Sequence, residues 1–252
     1  MTLIERIAHG QVLELRMNRA PFNALNPALV GELLQALQKA QRGDCRAIVL
    51  SGLPGVFSTG VDAAELLTLN RAQTQQFFVQ FHDLCVALGR SPIPVIAAIT
   101  GHAPAGGTIL ALFCDYRIMS EGNFQIGLHE VRQGVIVPGP IRHVLARLVG
   151  HRVAERMLVE GQLLSPEEAL NIGLVDEITP PGAVLRLSLL YCEKLLALPE
   201  AAMNAMRDSF HEDVHRDLDH RDAIIDELLE NWFSEEAQAA LRANFSRMPR
   251  AG

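Results

Sequence analysis

Lysine is scarce in this chain: among its 252 residues only Lys39 and Lys194 are lysines, and nearly all positive charge is arginine. A ligand with phosphate groups would therefore have to be bound by arginine side chains or by backbone N–H groups. Acidic residues also outnumber basic ones, 29 to 22, which gives a net charge of -7. Because an acidic chain repels a phosphate backbone, this balance argues against a nucleic acid partner.

Cysteine is also sparse, and its spacing excludes two classes of small domain. The four cysteines are far apart and none forms a CxxC pair: Cys45, Cys85, Cys114 and Cys192. Neither a disulfide framework nor a zinc ribbon is therefore predicted, and free thiols are expected. The first ten residues lack the basic patch and apolar run of a signal peptide, and no apolar run has the length of a membrane span. We expect a cytoplasmic protein without a membrane partner.

Apolar residues are abundant, at 49% of the chain, which is enough for a sizeable core. Strand-like and helix-like runs alternate through the first half, with strands predicted at 3–8, 12–17, 46–50, 95–100 and 115–119. Helices are predicted at 26–41, 72–88 and 108–113. This alternation favours parallel strands joined by right-handed crossovers, which is typical of an α/β protein.

Helical patterns dominate the second half, from residue 138 to the end, with one short strand predicted at 174–178. The stretch 199–247 is predicted to form helices joined by short turns. Its apolar stripes exceed what one small domain could cover, so we expect part of this surface to lie in a subunit interface.

Two glycine-containing loops are candidates for binding a negatively charged oxygen atom. Residues 57–62 (FSTGVD) leave a strand and enter a helix, and residues 102–107 (HAPAGG) do the same after the next strand. Ligands bind at the carboxyl ends of parallel strands, and free N–H groups at a helix start stabilise an anion. Two such loops that converge would form an oxyanion hole. Each loop taken alone is more simply explained as a structural turn.

Glu130 is the candidate general base. It lies in GLHEVRQG, residues 127–134, directly before the apolar segment 135–140. A carboxylate in such surroundings would have a raised pKa, which suits a base that works near neutral pH. The alternative is an exposed glutamate that caps a helix. His129 could tune the pKa of Glu130 or contact a substrate, and a plain packing role is an equal alternative.

A competing motif lies in the C-terminal region. Residues 211–215 (HEDVH) match HExxH, which binds zinc through two histidines on one helix face. Such a site needs a third ligand, but His220 lies one residue short of the metzincin spacing and Leu218 occupies its glycine position. Charged residues surround the motif, which favours a solvated helix face, so no metal site is predicted.

Several motifs occur in an order that resembles one known group of proteins. These are Met17-Asn18-Arg19, Asn23-Ala24-Leu25, FSTGVD, PAGG, CDYRI, GLHEVRQG and the long HRVAERMLVEGQLLSPEEALNIGLVDEI. From about residue 10 onward the chain resembles the crotonase (enoyl-CoA hydratase/isomerase) superfamily. The resemblance implies an α/β fold built as a spiral of ββα turns, with a C-terminal helical trimerisation region. It also implies an acyl-CoA thioester ligand and assembly as a homotrimer or a dimer of trimers.

The resemblance divides the chain into two regions. Residues 1–195 would form the spiral core with the acyl-CoA site, and residues 196–252 a helical region for assembly and for covering the active site. The backbone N–H groups of Val61 and Gly106 would form the oxyanion hole. The CoA and substrate site would be lined by Ala24, Ser58, Thr59, Gly60, Val61, Asp62, Gly106 and Ile109. Arg19 is a candidate phosphate contact, and a surface arginine is an equal alternative.

The subfamily depends on the number of glutamates. Hydratases of this superfamily carry two, the first in a GG-x-E pattern, whereas here Gly106-Gly107-Thr108 is followed by Ile109. Only the second glutamate is present, as Glu130, which is similar to the mitochondrial-type Δ3,Δ2-enoyl-CoA isomerases. Hydration suits two carboxylates, while moving a double bond needs only one proton carrier. An apolar Ile109 would also exclude water from the reacting atoms.

The resemblance therefore implies isomerisation of 3-enoyl-CoA to trans-2-enoyl-CoA in the β-oxidation of unsaturated fatty acids. Glu130 would carry a proton from C2 to C4 while the oxyanion hole holds the thioester oxygen. No cofactor is expected, because CoA is part of the substrate. Two alternatives stay open: an enoyl-CoA hydratase or another crotonase-type acyl-CoA enzyme, and a non-catalytic acyl-CoA-binding protein.

Overall fold

The computed structural model of the chain describes residues 2–247, and the side chains of those up to residue 244. The strands are β1 (Ile4–His9), β2 (Val12–Met17), β3 (Ala47–Ser51), β4 (Gly55–Val56), β5 (Val95–Ile99), β6 (Gly101–Pro104), β7 (Tyr116–Ser120), β8 (Ile126–Gly127) and β9 (Glu177–Thr179). The helices are α1 (Pro27–Gln41), α2 (Ala63–Leu66), α3 (Arg71–Gly89), α4 (Gly106–Leu112), α5 (Gly139–Val149), α6 (His151–Glu160), α7 (Pro166–Asn171), α8 (Val184–Leu196), α9 (Glu200–Leu218), α10 (Arg221–Trp232) and α11 (Glu235–Arg247). A 3-10 helix, Glu130–Gln133, lies between β8 and α5.

The nine strands of the described residues form two sheets. The larger has the order β1-β2-β3-β5-β7-β9, and the smaller has the order β4-β6-β8. β1 and β2 pair antiparallel, and the remaining neighbours are parallel. Two strands followed by a helix recur three times, as β3-β4-α2, β5-β6-α4 and β7-β8 with the 3-10 helix. The predicted α/β class and the spiral of ββα turns are therefore confirmed.

Helices α1 and α3 begin where their capping residues predict. The side chain of Asn26 accepts a hydrogen bond from the N–H of Leu29, and Pro27 occupies the first turn of α1. Asn70 and Gln73 form a reciprocal capping box at the start of α3. Both helices lie within one residue of the predicted ranges, since these polar caps precede strongly periodic apolar positions.

The short strands were not predicted. The sequence predicts one loop over 51–60 and another over 102–107, but β4 forms within the first and β6 covers the start of the second. β8 was not predicted either, and the strand expected at 174–178 forms later, as β9. Strands of two to four residues are too short to show a period, and their pairing depends on distant neighbours such as Val56 with His102.

Apolar residues cover both faces of the larger sheet. One face packs under α1 and α3, and the other under α8 through residues that include Val49, Ile96, Ile118 and Cys192. The C-terminal helices fold back onto this core: α9 contacts α3 and α5, α10 contacts α3, and α11 contacts α2 and the 3-10 helix.

The last five residues of the predicted assembly region, 248–252, lie outside the described part of the chain. Within residues 2–247, no helix has both the length and the apolarity that crossing a membrane requires.

Candidate active site

The two predicted loops lie against each other at the carboxyl ends of β4 and β6. A Cβ atom on Gly107 would overlap the carbonyl oxygen of Ser58, and one on Gly60 would lie 2.8 Å from the backbone nitrogen of Gly106. Only residues without a Cβ allow this approach. Because β4 and β6 are parallel neighbours, the loops that follow them meet at one edge of the small sheet.

Two backbone N–H groups at this meeting point have no acceptor among the described residues. Leu25 donates to the carbonyl of Gly60 (2.8 Å) and accepts from the N–H of Asp62 (3.0 Å), so the N–H of Val61, between them, faces the other way. Gly106 is the first residue of α4, where an N–H has no acceptor within the helix. A Cβ on Gly106 would lie 3.3 Å from the nitrogen of Val61. Two close, free N–H groups can stabilise one anionic oxygen atom.

Backbone strain marks the same position. Ala105, directly before Gly106, has φ 51° and ψ -122°, a conformation that costs a non-glycine residue on the order of 1–3 kcal/mol. Its N–H donates to the carbonyl of Gly127 at 2.8 Å, which holds the residue in place. Strain of this kind concentrates at sites that bind ligands or carry out chemistry.

Thr108 connects this loop to the segment that carries Glu130. Its buried hydroxyl accepts from the N–H of Gly127 at 2.8 Å and donates to the carbonyl of Ala103 at 2.6 Å. Glu130 follows Gly127 by three residues. Thr108 was not predicted as a site residue, although it is the one polar side chain in the apolar helix α4 and this exception could have indicated its role.

Asn23 fixes the other side of the site and was likewise not predicted to do so. It is fully buried with φ 47°, and its side chain donates to the carbonyls of Met17 (3.1 Å) and Phe57 (3.0 Å). Ser58 donates to the carbonyl of Asn23 (2.8 Å) and accepts from the N–H of Gly60 (3.2 Å). The hydroxyl group of Ser58 is thus engaged in hydrogen bonds within the protein.

The predicted binding residues come together in this region. The bridge between Leu25 and Val61 joins the Ala24 segment to the loop that contains Thr59, Gly60 and Asp62. Ile109 lies in α4 three residues after Gly106 and is only 6% exposed, within the apolar core. Their contacts with CoA stay predictions.

Arg19 is paired with two carboxylates of the chain itself. Its guanidinium lies 2.8 Å from Asp62 and 3.3 Å from Glu65, and it donates to the carbonyl of Ala24 at 2.9 Å. These bonds tie the Ala24 segment to the start of α2, next to Val61. A phosphate contact by Arg19 stays a prediction, because a phosphate would have to share the guanidinium with both carboxylates.

Glu130 begins the 3-10 helix with a carboxylate that is withdrawn from water. Its Oε2 atom is buried and has no hydrogen-bond partner among the residues that the structure describes. Burial raises the pKa of Glu130 from 4.5 to about 7, and hydrogen bonding with the backbone of Glu130 and His129 offsets part of this rise. The alternative of an exposed capping glutamate does not fit a buried, unpartnered oxygen. Buried carboxyl groups with pKa values near 7 are typical of general bases.

His129 lies next to the base with a similarly unpartnered atom. Its Nε2 is 3.1 Å from the amide nitrogen of Gln133, while its Nδ1 is buried and finds no partner in the described part of the chain. Burial, and secondarily the charge of Arg132, lowers the pKa of His129 below its ordinary value. The imidazole is therefore neutral near pH 7.

The two histidines of the HExxH motif lie side by side on α9, and one of them is already hydrogen-bonded to the backbone. The rings of His211 and His215 are 6.2 Å apart, and Nε2 of His215 is hydrogen-bonded to the carbonyl of Gly89 at 2.9 Å. No group of three or more His, Cys, Asp or Glu side chains suited to a metal ion occurs in the described part of the chain.

Known proteins share both the sequence pattern and the fold of this chain. A family model described as enoyl-CoA hydratase/isomerase matches residues 8–246. The chain belongs to the enoyl-CoA hydratase/isomerase family. The predicted superfamily is thereby confirmed, and the chain is a crotonase-type enzyme by family.

Relatives within the enoyl-CoA hydratase/isomerase family carry two activities in their names. Enoyl-CoA delta isomerase 1, mitochondrial, of Homo sapiens is 31% identical over 98% of this chain and 83% of its own length. A probable enoyl-CoA hydratase, echA17, of Mycobacterium avium is 32% identical over 77% of this chain and 75% of its own. The crystal structure of the human mitochondrial delta3-delta2-enoyl-CoA isomerase superposes with a TM-score of 0.93, at 29% identity and 97% coverage of both chains.

These comparisons confirm the crotonase-type fold and the similarity to the isomerases of the family. The choice between isomerase and hydratase, the homotrimer and the cytoplasmic location stay predictions.

Proposed function

We propose that the chain is a Δ3,Δ2-enoyl-CoA isomerase, which converts 3-enoyl-CoA to trans-2-enoyl-CoA in the β-oxidation of unsaturated fatty acids. One observation carries the proposal: among the described residues, Glu130 alone has a buried carboxylate oxygen, Oε2, without a hydrogen-bond partner. The resemblance to the family places the first glutamate of the hydratases at the position of Ile109, which is apolar and 6% exposed. A double-bond shift needs one group that accepts a proton and returns it.

The reaction transfers one proton from C2 to C4, with no net uptake or release of protons. Glu130 removes a proton from C2, and the electron pair spreads over the C3–C4 double bond and the thioester carbonyl as a dienolate. The N–H groups of Val61 and Gly106 hold the negative thioester oxygen. Glu130 then returns the proton to C4, which leaves the double bond between C2 and C3, conjugated with the thioester. The substrate supplies its own CoA, so no further cofactor enters the proposal.

A paired-substrate assay tests this function. A 3-enoyl-CoA is supplied and the conjugated 2-enoyl-CoA is followed by ultraviolet absorbance; the 2-enoyl-CoA is then supplied and its loss to hydration is followed. We expect fast formation and negligible hydration. Fast hydration would overturn the isomerase proposal and favour the hydratase, the activity named for echA17 relatives at 32% identity.

Two further controls separate the remaining alternatives. Thermal stabilisation by acyl-CoA without turnover of either substrate would indicate a non-catalytic binding protein. Loss of activity on treatment with a chelator would restore the zinc interpretation of the HExxH motif, and we expect no such loss.

A further inference from the structure

The position of Glu130 depends on residues 134–136, which follow the 3-10 helix and are hydrogen-bonded to its first residue. The 3-10 helix ends at Gln133 and is capped by Gly134, whose φ of 70° lies in the left-handed region. The N–H of Val135 then donates to the carbonyl of Glu130 at 3.1 Å. A shift of residues 134–136 would therefore move the backbone from which the Glu130 carboxylate extends.

Asn231, near the end of α10, holds this segment on both sides of Val135. Its Oδ1 accepts from the N–H of Ile136 at 2.9 Å, and its Nδ2 donates to the carbonyl of Gly134 at 3.1 Å. The two bonds fix the orientation of the amide, because an N–H needs an acceptor and a carbonyl needs a donor. Leucine offers neither group, and ionised aspartate offers only the acceptor.

The C-terminal helices form a firm support for this contact. Trp232, adjacent to Asn231, packs edge-on against Phe78 of α3 with ring centroids 5.7 Å apart. A Cβ on Gly134 would lie 3.1 Å from the Cα of Ala237, so the start of α11 touches the same segment. Asn244 adds a weaker bond to the carbonyl of Arg132, at 3.3 Å.

We propose that Asn231 is a positioning residue for the reaction, which orients Glu130 by clamping Gly134 and Ile136 and touches no reacting atom itself. The inference rests on the proposed role of Glu130 as the base. A displacement of about 1 Å in a catalytic group can lower turnover about 10²-fold. Loss of the clamp should therefore lower kcat and leave the affinity for the CoA thioester unchanged, because Val61 and Gly106 lie on other elements.

Three variants test the clamp. Asn231→Leu removes both hydrogen bonds, and the isosteric Asn231→Asp removes the donor to Gly134. The matched control is Asn204→Leu in α9, because Asn204 is also half-buried on a C-terminal helix and its side chain accepts from Arg207 at 3.0 Å. For each protein kcat, the Kd of a saturated acyl-CoA that binds but cannot react, and the folded fraction are measured.

We expect kcat to fall about 10- to 100-fold in both Asn231 variants, with the Kd within about two-fold of wild type and Asn204→Leu close to wild type in both. Wild-type kcat in either Asn231 variant overturns the inference. So does a loss of kcat that the control shares or that disappears after correction for the folded fraction. If Asn231→Leu does not fold, the kcat of the isosteric Asn231→Asp variant tests the inference. A wild-type protein that does not isomerise is failure of the proposed function, and it is seen before any variants are compared.

Discussion

The pKa of Glu130 determines the pH range in which this residue can act as a base. Burial raises that pKa from 4.5 to about 7, so the carboxyl group is largely protonated in mildly acidic solution. Only the ionised form can remove a proton, so kcat/KM should fall as the pH drops through about 7 and level off above it. A pH profile of kcat/KM checks this expectation. A midpoint near 4.5, the ordinary value, would mean that the carboxylate is solvated.

Glu130→Gln should lower activity and raise stability in alkaline solution. We expect kcat to fall about 10²- to 10⁴-fold, because glutamine cannot carry the proton. In the wild type the folded-state pKa lies above the unfolded one, so stability declines as the pH rises from 4.5 to about 7. The variant lacks this decline and should be more stable than wild type at about pH 8, on the order of 3 kcal/mol, but not at about pH 4. Thermal melts of both proteins at both pH values test this prediction. An equal stability difference between variant and wild type at the two pH values would contradict it.

The sequence indicates Glu130 but not the residues that hold the site around it. Glu130 could be predicted because its apolar surroundings, residues 135–140, are its neighbours in the chain. The partners of Arg19, by contrast, are Asp62 and Glu65, more than about forty residues away, so neither their pairing nor its effect on a phosphate contact could be anticipated. The role of Thr108 depends in the same way on the distant Gly127.

The contact between the two loops depends on Gly107, at the start of α4. A Cβ there would overlap the carbonyl oxygen of Ser58, a backbone atom that cannot rotate away. Gly107→Ala should therefore separate the N–H groups of Val61 and Gly106, and loss of one such donor lowers kcat about 10²- to 10³-fold. Measurements of kcat and of the melting temperature check this, and both should fall.

The control for this substitution is Gly31→Ala, in the middle of α1. Apart from its chain neighbours and the backbone of its own helix, no atom of the described residues lies within 4 Å of the position where its Cβ would be. Alanine is favoured over glycine inside a helix by roughly 0.5–1 kcal/mol, so this variant should keep wild-type kcat and gain slightly in stability. Wild-type kcat in Gly107→Ala would show that the loops do not need this close contact.

At the level of elements, length separates what could be predicted from what could not. Helices α1 and α3 carry polar caps and many periodic apolar positions, so each could be predicted to within one residue. The strands β4, β6 and β8 have two to four residues each, and a run that short shows no period. These strands nevertheless place the loops beside each other, so the resemblance to a family supplied what periodicity could not.

At the scale of the whole molecule, segments from near the start and from near the end of the chain meet at the site. The segment around Asn23 comes from the first tenth of the chain, while α10 and α11 come from the last fifth and contact the segment after Glu130. The sequence predicted the helices of residues 199–247 but not the residues they hold, because Asn231 and Gly134 are almost a hundred residues apart. The C-terminal region is thus attached to the core of its own chain. Its role in assembly stays a prediction, and only its outer surface can test it.

That outer surface leads to a prediction about the assembly. Met206 and Phe210 lie one turn apart on α9 and are 59% and 71% exposed. Residues four apart on a helix share a face, so the two side chains form one apolar patch that water disfavours. We expect the wild type to sediment as a trimer or a dimer of trimers, and the double variant Met206→Glu, Phe210→Glu to sediment as a smaller species with its fold intact by circular dichroism.

Val159→Glu is the matched control for this prediction, because Val159 is 70% exposed but lies on α6, outside the predicted assembly region. It should leave the sedimentation coefficient unchanged. If Val159→Glu dissociates the protein and the double variant does not, then α6 carries the interface and the assembly role of residues 196–252 is wrong. A monomeric wild type would contradict the prediction outright, because it would show that the protein does not assemble.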